Sequence, residues 1–253
     1  MKELKKIAIG LIPARMESSR LPNKALLDIR GMPMVIHVAL RAKLAKKIQE
    51  IYVCTDSEKI AHKCIKYNIK VILTKSSHIN GTERIAEAVI LLKLKATDIV
   101  VDIQGDEPLL IPEMVDNMVS FIEKSNYRIA VPYIKIDEKF TPNMVKIVES
   151  NGNILYLSRA NAPYQFMKSA ELKKHLSIVG FRVDALKKFA KLKPGILETV
   201  EGVELLRALE NNIKIGTYEE IGETQAVDTI EDYHKSILLM NRDKHYSNYF
   251  YEL

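Results

Sequence analysis

The stretch IPARMESSRLPNKAL sets Arg15, Arg20 and Lys24, with Ser18 and Ser19 between them, directly behind the apolar run KIAIGLI. Guanidinium forks, hydroxyls, backbone amides and an ammonium are the groups that surround a polyphosphate. The pattern G-x-x-x-x-G-K-[ST] is absent and so is G-x-G-x-x-G, so the loop is neither a Walker loop nor a dinucleotide fingerprint. A second constellation is VDIQGDEP, in which Asp106 follows an apolar run and a glycine that lets backbone approach a ligand closely. A carboxylate placed there suits Mg²⁺, which takes few protein ligands and completes its shell with water and phosphate oxygens. Asp228 in AVDTIED repeats the arrangement. The bland alternatives are a turn or helix cap before Pro108 for Asp106, and the N-cap of TIEDYHKSILLM for Asp228.

The elements that must position these groups alternate. KIAIGLI, EIYVCTD, KVILT and DIVVDIQGD are short, apolar and rich in β-branched residues, as buried parallel strands are. Between them MVIHVALRAKLAKKI, SEKIAHKCIKY and GTERIAEAVILLKL carry apolar residues at helical spacing. The first half therefore reads as βαβαβαβ, a parallel sheet with helices on both faces, and ligands of such sheets sit beyond the carboxyl ends of the strands. That puts Arg15, Asp56 and Asp106 along one rim. The second half is less regular: IAVPYIKI, NMVKIVES, NILYLSR and KHLSIVGFR read as strands, and VEGVELLRALENN as one helix closed by asparagines, with Glu201 and Glu204 on one face. The tail NRDKHYSNYFYEL reads as a segment that packs on a partner or frays. With no Gly/Ser or Pro linker and no internal repeat, residues 1–253 are expected to form a single α/β domain, with residues 125–220 as its elaborated part.

Bulk composition narrows the classes. The 253 residues are 47% hydrophobic and 28% charged, ordinary for a soluble globule, with a formal net charge of +6. The lysines are spread along the chain, Trp is absent and the tyrosines are scattered, so the footprint of a nucleic-acid binder is missing and an anionic substrate accounts better for the charge. Two cysteines, Cys54 and Cys64, lack metal-ligand spacing and fit a reducing cytoplasm. The apolar part of MKELKKIAIGLIPAR is shorter than a signal-peptide core of about 7–15 residues, and no run approaches the ~18 apolar residues of a membrane span.

Taken together and in order, IPARMESSRLPNKAL, HINGTERIAEA, QGDEP, NMVKIV, LYLSRANAP, KHLSIVGFR and AVDTIED closely resemble the 3-deoxy-manno-octulosonate cytidylyltransferases, the CMP-Kdo synthetases, over residues 7–235. The resemblance implies a Rossmann-like nucleotidyltransferase fold, a mixed but mostly parallel sheet with helices on both faces. It implies a homodimer that joins CTP to an acidic 2-keto-3-deoxy sugar, Kdo or a close relative, and releases pyrophosphate for bacterial surface polysaccharide synthesis. Residue by residue, Ala14, Arg15, Ser19, Arg20 and Lys24 would hold the triphosphate. Gly81, Thr82, Glu83 and Arg84 would fix the cytidine, and Asp106 and Asp228 would carry Mg²⁺. Gln104, Arg159, His175 and Glu204 would face the sugar acid. Arg15, Lys24, Asp106 and Asp228 are the expected catalytic set.

The chain departs from the resemblance in two places. Ser177 and Val179 stand where relatives commonly carry glycine and tyrosine, and Leu205 where they carry glutamine. Both segments are expected to border the sugar, so a modified acid of the 8-amino-Kdo or nonulosonic type is an alternative substrate, and a sugar 1-phosphate a more distant one.

Overall fold

The computed structural model describes residues 7–17, 21–136, 144–222 and 224–250. Ser19 and Arg20 lie outside the described residues. Strand β1, Ala8–Pro13, runs into the basic loop, a 3-10 turn at Lys24–Leu26 and the small hairpin β2, Asp28–Ile29, and β3, Met32–Pro33. Helix α1, Met34–Lys43, then leads to β4, Glu50–Thr55, and α2, Glu58–Lys66, to β5, Lys70–Leu73. Helix α3, Gly81–Leu91, returns the chain to β6, Ile99–Ile103. The four strands β5, β4, β1 and β6 are mutually parallel, which realises the βαβαβαβ reading.

Past β6 the sheet becomes mixed. Helix α4, Pro112–Lys124, precedes β7, Ile129–Ile136, and then come β8, Lys146–Ser150, and β9, Asn153–Ser158. The segment read as one strand, KHLSIVGFR, is two: β10, Leu172–His175, and β11, Ile178–Arg182. Leu176 and Ser177 break it because its two ends serve different neighbours, β10 lying antiparallel to β7 and β8, and β11 antiparallel to β6 and β7. Helix α5, Val183–Phe189, follows.

The single helix expected over VEGVELLRALENN is also broken. Helix α6, Ile196–Glu201, stops at Gly202, which adopts the left-handed conformation at φ 62, and α7, Leu206–Glu210, starts afresh. Glycine tolerates that conformation without a Cβ penalty, so the sequence carries a helix C-cap where periodicity showed only a continuous apolar stripe. Glu201 and Glu204 therefore do not share a helix face. Strand β12, Gly216–Glu219, pairs parallel to β7, and α8, Ile230–Met240, and α9, Tyr246–Phe250, close the described chain.

Among the described residues one ten-stranded sheet runs in the order β10-β8-β9-β12-β7-β11-β6-β1-β4-β5. One face packs α1, α2 and α4 through Val35, Ile60, Met118 and Ile122, and the other packs α3, α5 and α7 through Ile85, Val89, Leu186 and Leu206. This is the Rossmann-like α/β class expected. Within the described part of the tail, Tyr249 is buried against α1, and its hydroxyl meets Nδ1 of the buried His37 at 2.8 Å.

Candidate active site

At the carboxyl ends of β1 and β6 lies a cavity of about 310 Å³ lined by Arg15, Glu17, Lys24, Gly81, Arg84, Gln104, Asp106 and Asp228, among others. The two strand ends approach closely there. A Cβ on Gly105 would stand 3.0 Å from the Pro13 carbonyl oxygen, and one on Gly81 3.0 Å from the Pro13 ring. Small residues thus let β6 and the first turn of α3 close on the end of β1. Asn80 caps α3 by accepting from the Glu83 amide at 2.8 Å, which leaves the helix N-terminus at the cavity wall, where its unpaired amides favour an anion.

The floor is Lys24. Its ammonium donates to Asp106 Oδ2 at 2.6 Å and to Asp228 Oδ1 at 3.3 Å, so two carboxylates far apart in sequence converge on one cationic point. Asp228 is brought there by backbone, since the Val227 amide donates to the Asp106 carbonyl at 2.9 Å. The bland reading of Asp228 fails, because the N-cap of α8 is Thr229, whose hydroxyl accepts from the Asp232 amide while the Asp232 carboxylate accepts from the Thr229 and Asp228 amides. Asp106 is likewise no helix cap, that position in α4 belonging to Ile111.

Two hard carboxylates meeting on a cation fit Mg²⁺, which is held by one or two carboxylates plus phosphate oxygens and water. Among the described residues no group of three or more His, Cys, Asp or Glu is arranged to hold a metal ion. Arg15 is exposed, its Nη1 donating to the Ile79 carbonyl at 3.4 Å.

Not every sequence candidate faces this cavity. Arg84 lines it but is buried and occupied, donating to Thr74 Oγ1 at 2.6 Å and pairing with Asp56 at 3.3 Å. Glu83 accepts from the Ile79 amide at 3.2 Å and so orders the turn into α3. Thr82 points away from the cavity lining and donates to Glu204 Oε2 at 2.7 Å, joining a residue expected at the nucleotide to one expected at the sugar.

Arg159, His175 and Glu204 are not part of the lining of this cavity. Arg159 closes the C-terminus of α6, its Nε donating to the Glu201 carbonyl at 2.7 Å and Nη2 to the Gly202 carbonyl at 3.2 Å. Its own amide donates to the Glu201 carboxylate at 2.8 Å, and its carbonyl accepts from the buried Lys146 at 2.7 Å. The His175 amide donates to the Val145 carbonyl at 2.9 Å, placing it beside that lysine; desolvation pushes its ring down to about 4, so it is neutral at pH 7. Arg159 and His175 thus flank Lys146 from the end of β9 and the end of β10, while Glu204, between α6 and α7, turns to Thr82 and Arg207.

Three groups went unassigned by sequence reasoning. Glu17 lines the cavity. Glu107 is buried and pushed up to about 7, by desolvation first and Asp106 second, with the Ser177 hydroxyl bonded to it. Asp102 is buried in mid-strand and pushed up to about 8, by desolvation first and then by Glu204 and Asp106. The only sequence signal for the last is a carboxylate inside an otherwise apolar run. Val179 and Leu205, the departures expected to border the sugar, are both buried in the core cluster beneath α3 and α5.

Comparison with known proteins adds the following. A family model described as cytidylyltransferase matches residues 9–215. The 3-deoxy-manno-octulosonate cytidylyltransferase of Thermodesulfovibrio yellowstonii is 39% identical over 242 residues, covering 89% of this chain and 95% of that protein. The protein of the same name from Neisseria gonorrhoeae is 40% identical over 240 residues, covering 88% and 94%. A solved structure of CMP:2-keto-3-deoxy-manno-octonic acid synthetase complexed with CTP superposes with a TM-score of 0.88 at 33% identity, over 94% of this chain and 99% of that one. A 4-diphosphocytidyl-2C-methyl-D-erythritol synthase, at TM-score 0.67 and 12% identity, shares the fold.

Proposed function

This chain belongs to the cytidylyltransferase family and is a CTP-dependent nucleotidyltransferase, and from that premise we propose that it joins CTP to 3-deoxy-manno-octulosonate, an acidic 2-keto sugar, and releases pyrophosphate. The observation that carries the reading is the Lys24 ammonium held between Asp106 and Asp228 on the floor of a cavity that opens onto Arg15 and the start of α3. The choice of sugar rests on the relatives at 39% and 40% identity and on their coverage of nearly the whole chain.

The sugar's anomeric hydroxyl attacks the α-phosphorus in line with the departing pyrophosphate, so the protein's task is positioning and charge stabilisation, and no covalent nucleophile is required. Arg15 and Lys24 neutralise the β- and γ-phosphates, and the amides at the start of α3 receive an oxygen of the chain of phosphates. Asp106 and Asp228 would hold Mg²⁺, which when bound polarises the phosphate and favours the deprotonated sugar hydroxyl. Arg159 offers a guanidinium for the sugar's carboxylate beside Gln104, Glu204 and His175. His175, being neutral, adds no charge at that place and serves as a hydrogen-bond group.

Val179 and Leu205 are core side chains, so they supply no ground for preferring a modified acid over the plain one. The enzyme is assigned to the cytoplasm, where CTP is made, and to supplying activated sugar for surface polysaccharide. A homodimer is the assembly proposed: Tyr164, Phe166 and Met167 after Arg159, and Ile196 and Val200 on α6, expose large apolar surface. The deciding experiment is pyrophosphate release with CTP, Mg²⁺ and a panel of 2-keto sugar acids. Release with Kdo that depends on CTP supports the reading, and release only with other acids overturns the choice of sugar.

A further inference from the structure

Asp102 occupies an expensive position. It lies in register with Leu11 of β1 on one side and Val179 of β11 on the other, both buried and apolar, and it is itself 3% exposed. A branched apolar residue would fill such a place in a central strand without desolvating a carboxyl, and replacement of buried polar groups by hydrophobes is often neutral or stabilising. Strand architecture alone therefore gives no reason for an acid here.

The carboxyl does one visible thing. Its Oδ2 accepts from Gln104 Nε2 at 3.1 Å, while Oδ1 has no hydrogen-bond partner among the described residues. Gln104, two residues on along the same face, lines the cavity that Asp102 itself does not reach. An amide has one donating and one accepting end. With one of its two Nε2–H groups committed inward to Asp102, the end turned away from that carboxyl is the carbonyl. Glu204 guards the same buried space: Oε2 accepts from Thr82, and Oε1, 3.7 Å from Arg207, has no hydrogen-bond partner among the described residues.

We infer that Asp102 is a positioning residue, whose carboxyl locks the Gln104 amide with its carbonyl turned to the sugar-acid subsite, where that carbonyl accepts from a sugar hydroxyl. The inference rests on the proposed reading that Gln104 faces the sugar. It assigns selectivity for a hydroxyl donor to a residue that never touches substrate. The neutral state that burial favours for Asp102 at pH 7 is compatible with this, since the carbonyl oxygen of a protonated acid still accepts from an amide.

The test compares Asp102→Asn and Asp102→Val with native full-length enzyme, in steady-state kinetics and in the side-chain ¹H–¹⁵N resonances of Gln104, identified with Gln104→Ala. In native enzyme one Gln104 amide proton should be slow to exchange. Asp102→Val should raise KM for the sugar acid tenfold or more, leave KM for CTP within twofold, leave the melting temperature unchanged or higher, and abolish the slow exchange. Asp102→Asn, which keeps an acceptor, should stay within threefold of native in sugar KM. The inference is overturned by an unchanged sugar KM in Asp102→Val, by equal rises in both KM values, by Asn failing to rescue, or by a freely exchanging Gln104 amide in the native enzyme. That last measurement still decides the matter if Asp102→Val does not fold. A Gln104 amide that responds as expected in an enzyme that turns over no Kdo would instead refute the sugar subsite and leave the positioning intact.

Discussion

Lys24 holds together two carboxylates that would otherwise repel, so its loss acts on both charge partners and phosphate. Lys24→Ala should weaken CTP binding at least tenfold by calorimetry and slow transfer as well, because the same ammonium serves ground and transition state. Its side chain and those of both aspartates are partly exposed, so the ion pairs themselves add little stability. Asp106→Asn and Asp228→Asn should accordingly melt within a few degrees of native while losing turnover about a hundredfold or more. Asn keeps one oxygen but not the charge a divalent cation needs. Unimpaired rates in both variants would remove the metal from these residues.

At the scale of elements, Asp228 depends on the C-terminal segment being clamped to α1. Arg41, 1% exposed, makes a two-pronged pair with Asp243 at 2.5 and 2.9 Å and donates to the Leu110 carbonyl at 2.7 Å. Asp243→Ala would leave that guanidinium buried without its carboxylate and should cost about 3–5 kcal/mol in denaturant unfolding. His37 is the second clamp. Its Nε2–H donates to the Ile29 carbonyl at 2.8 Å, so Nδ1 accepts from the Tyr249 hydroxyl in the neutral ring. Burial is the main cause that depresses its pKa from 6.5 to about 4. Above pH 6.5 the ring is neutral in both states and the fold bears no penalty. As pH falls from 6.5 towards 4 the unfolded chain binds the proton first, and stability on the order of 3 kcal/mol is lost. Measured as the native-minus-variant difference between pH 7.5 and pH 4.5, this acid sensitivity should vanish in His37→Gln. Asp102 and Glu107, pushed upward, act in the opposite direction and do not enter that difference.

For the whole molecule, two consequences follow from where apolar groups lie. Val179→Tyr with Leu205→Gln places a phenol and an amide into the packed layer under α3 and α5, so the double variant should lose about 1–3 kcal/mol or more without a changed preference between Kdo and its analogues. A gain in selectivity with unchanged stability would mean that these side chains reach the sugar. Phe166 and Val200 are 82% and 78% exposed. If they meet a second copy, Phe166→Glu with Val200→Glu should convert a dimer to a monomer by light scattering, and an unchanged mass would move the interface elsewhere.

What could be read before any coordinates was whatever is local. The strands β1, β4, β5 and β6 and the helices between them announce themselves by runs and periods that need only neighbouring residues, and the cluster of Arg15 and Lys24 sits within one loop. Gly202 was a local stop signal hidden by the continuous apolar stripe, whereas the break at Leu176–Ser177 did not announce itself, because it depends on which distant strands pair with each end of the segment. The same holds for the roles of single residues. That Asp228 meets Lys24, that Thr82 binds Glu204, and that Asp102 bonds Gln104 at the cavity edge are facts of three-dimensional proximity. Sequence made the basic loop legible, because Arg15 and Lys24 lie nine residues apart, and tertiary structure brought Asp106 and Asp228 to that lysine from distant segments. Tertiary structure decided that Gln104 lines the cavity while Arg159, His175 and Glu204 do not, because the four come from separate segments, and burial turned Val179 and Leu205 from candidate contacts into core.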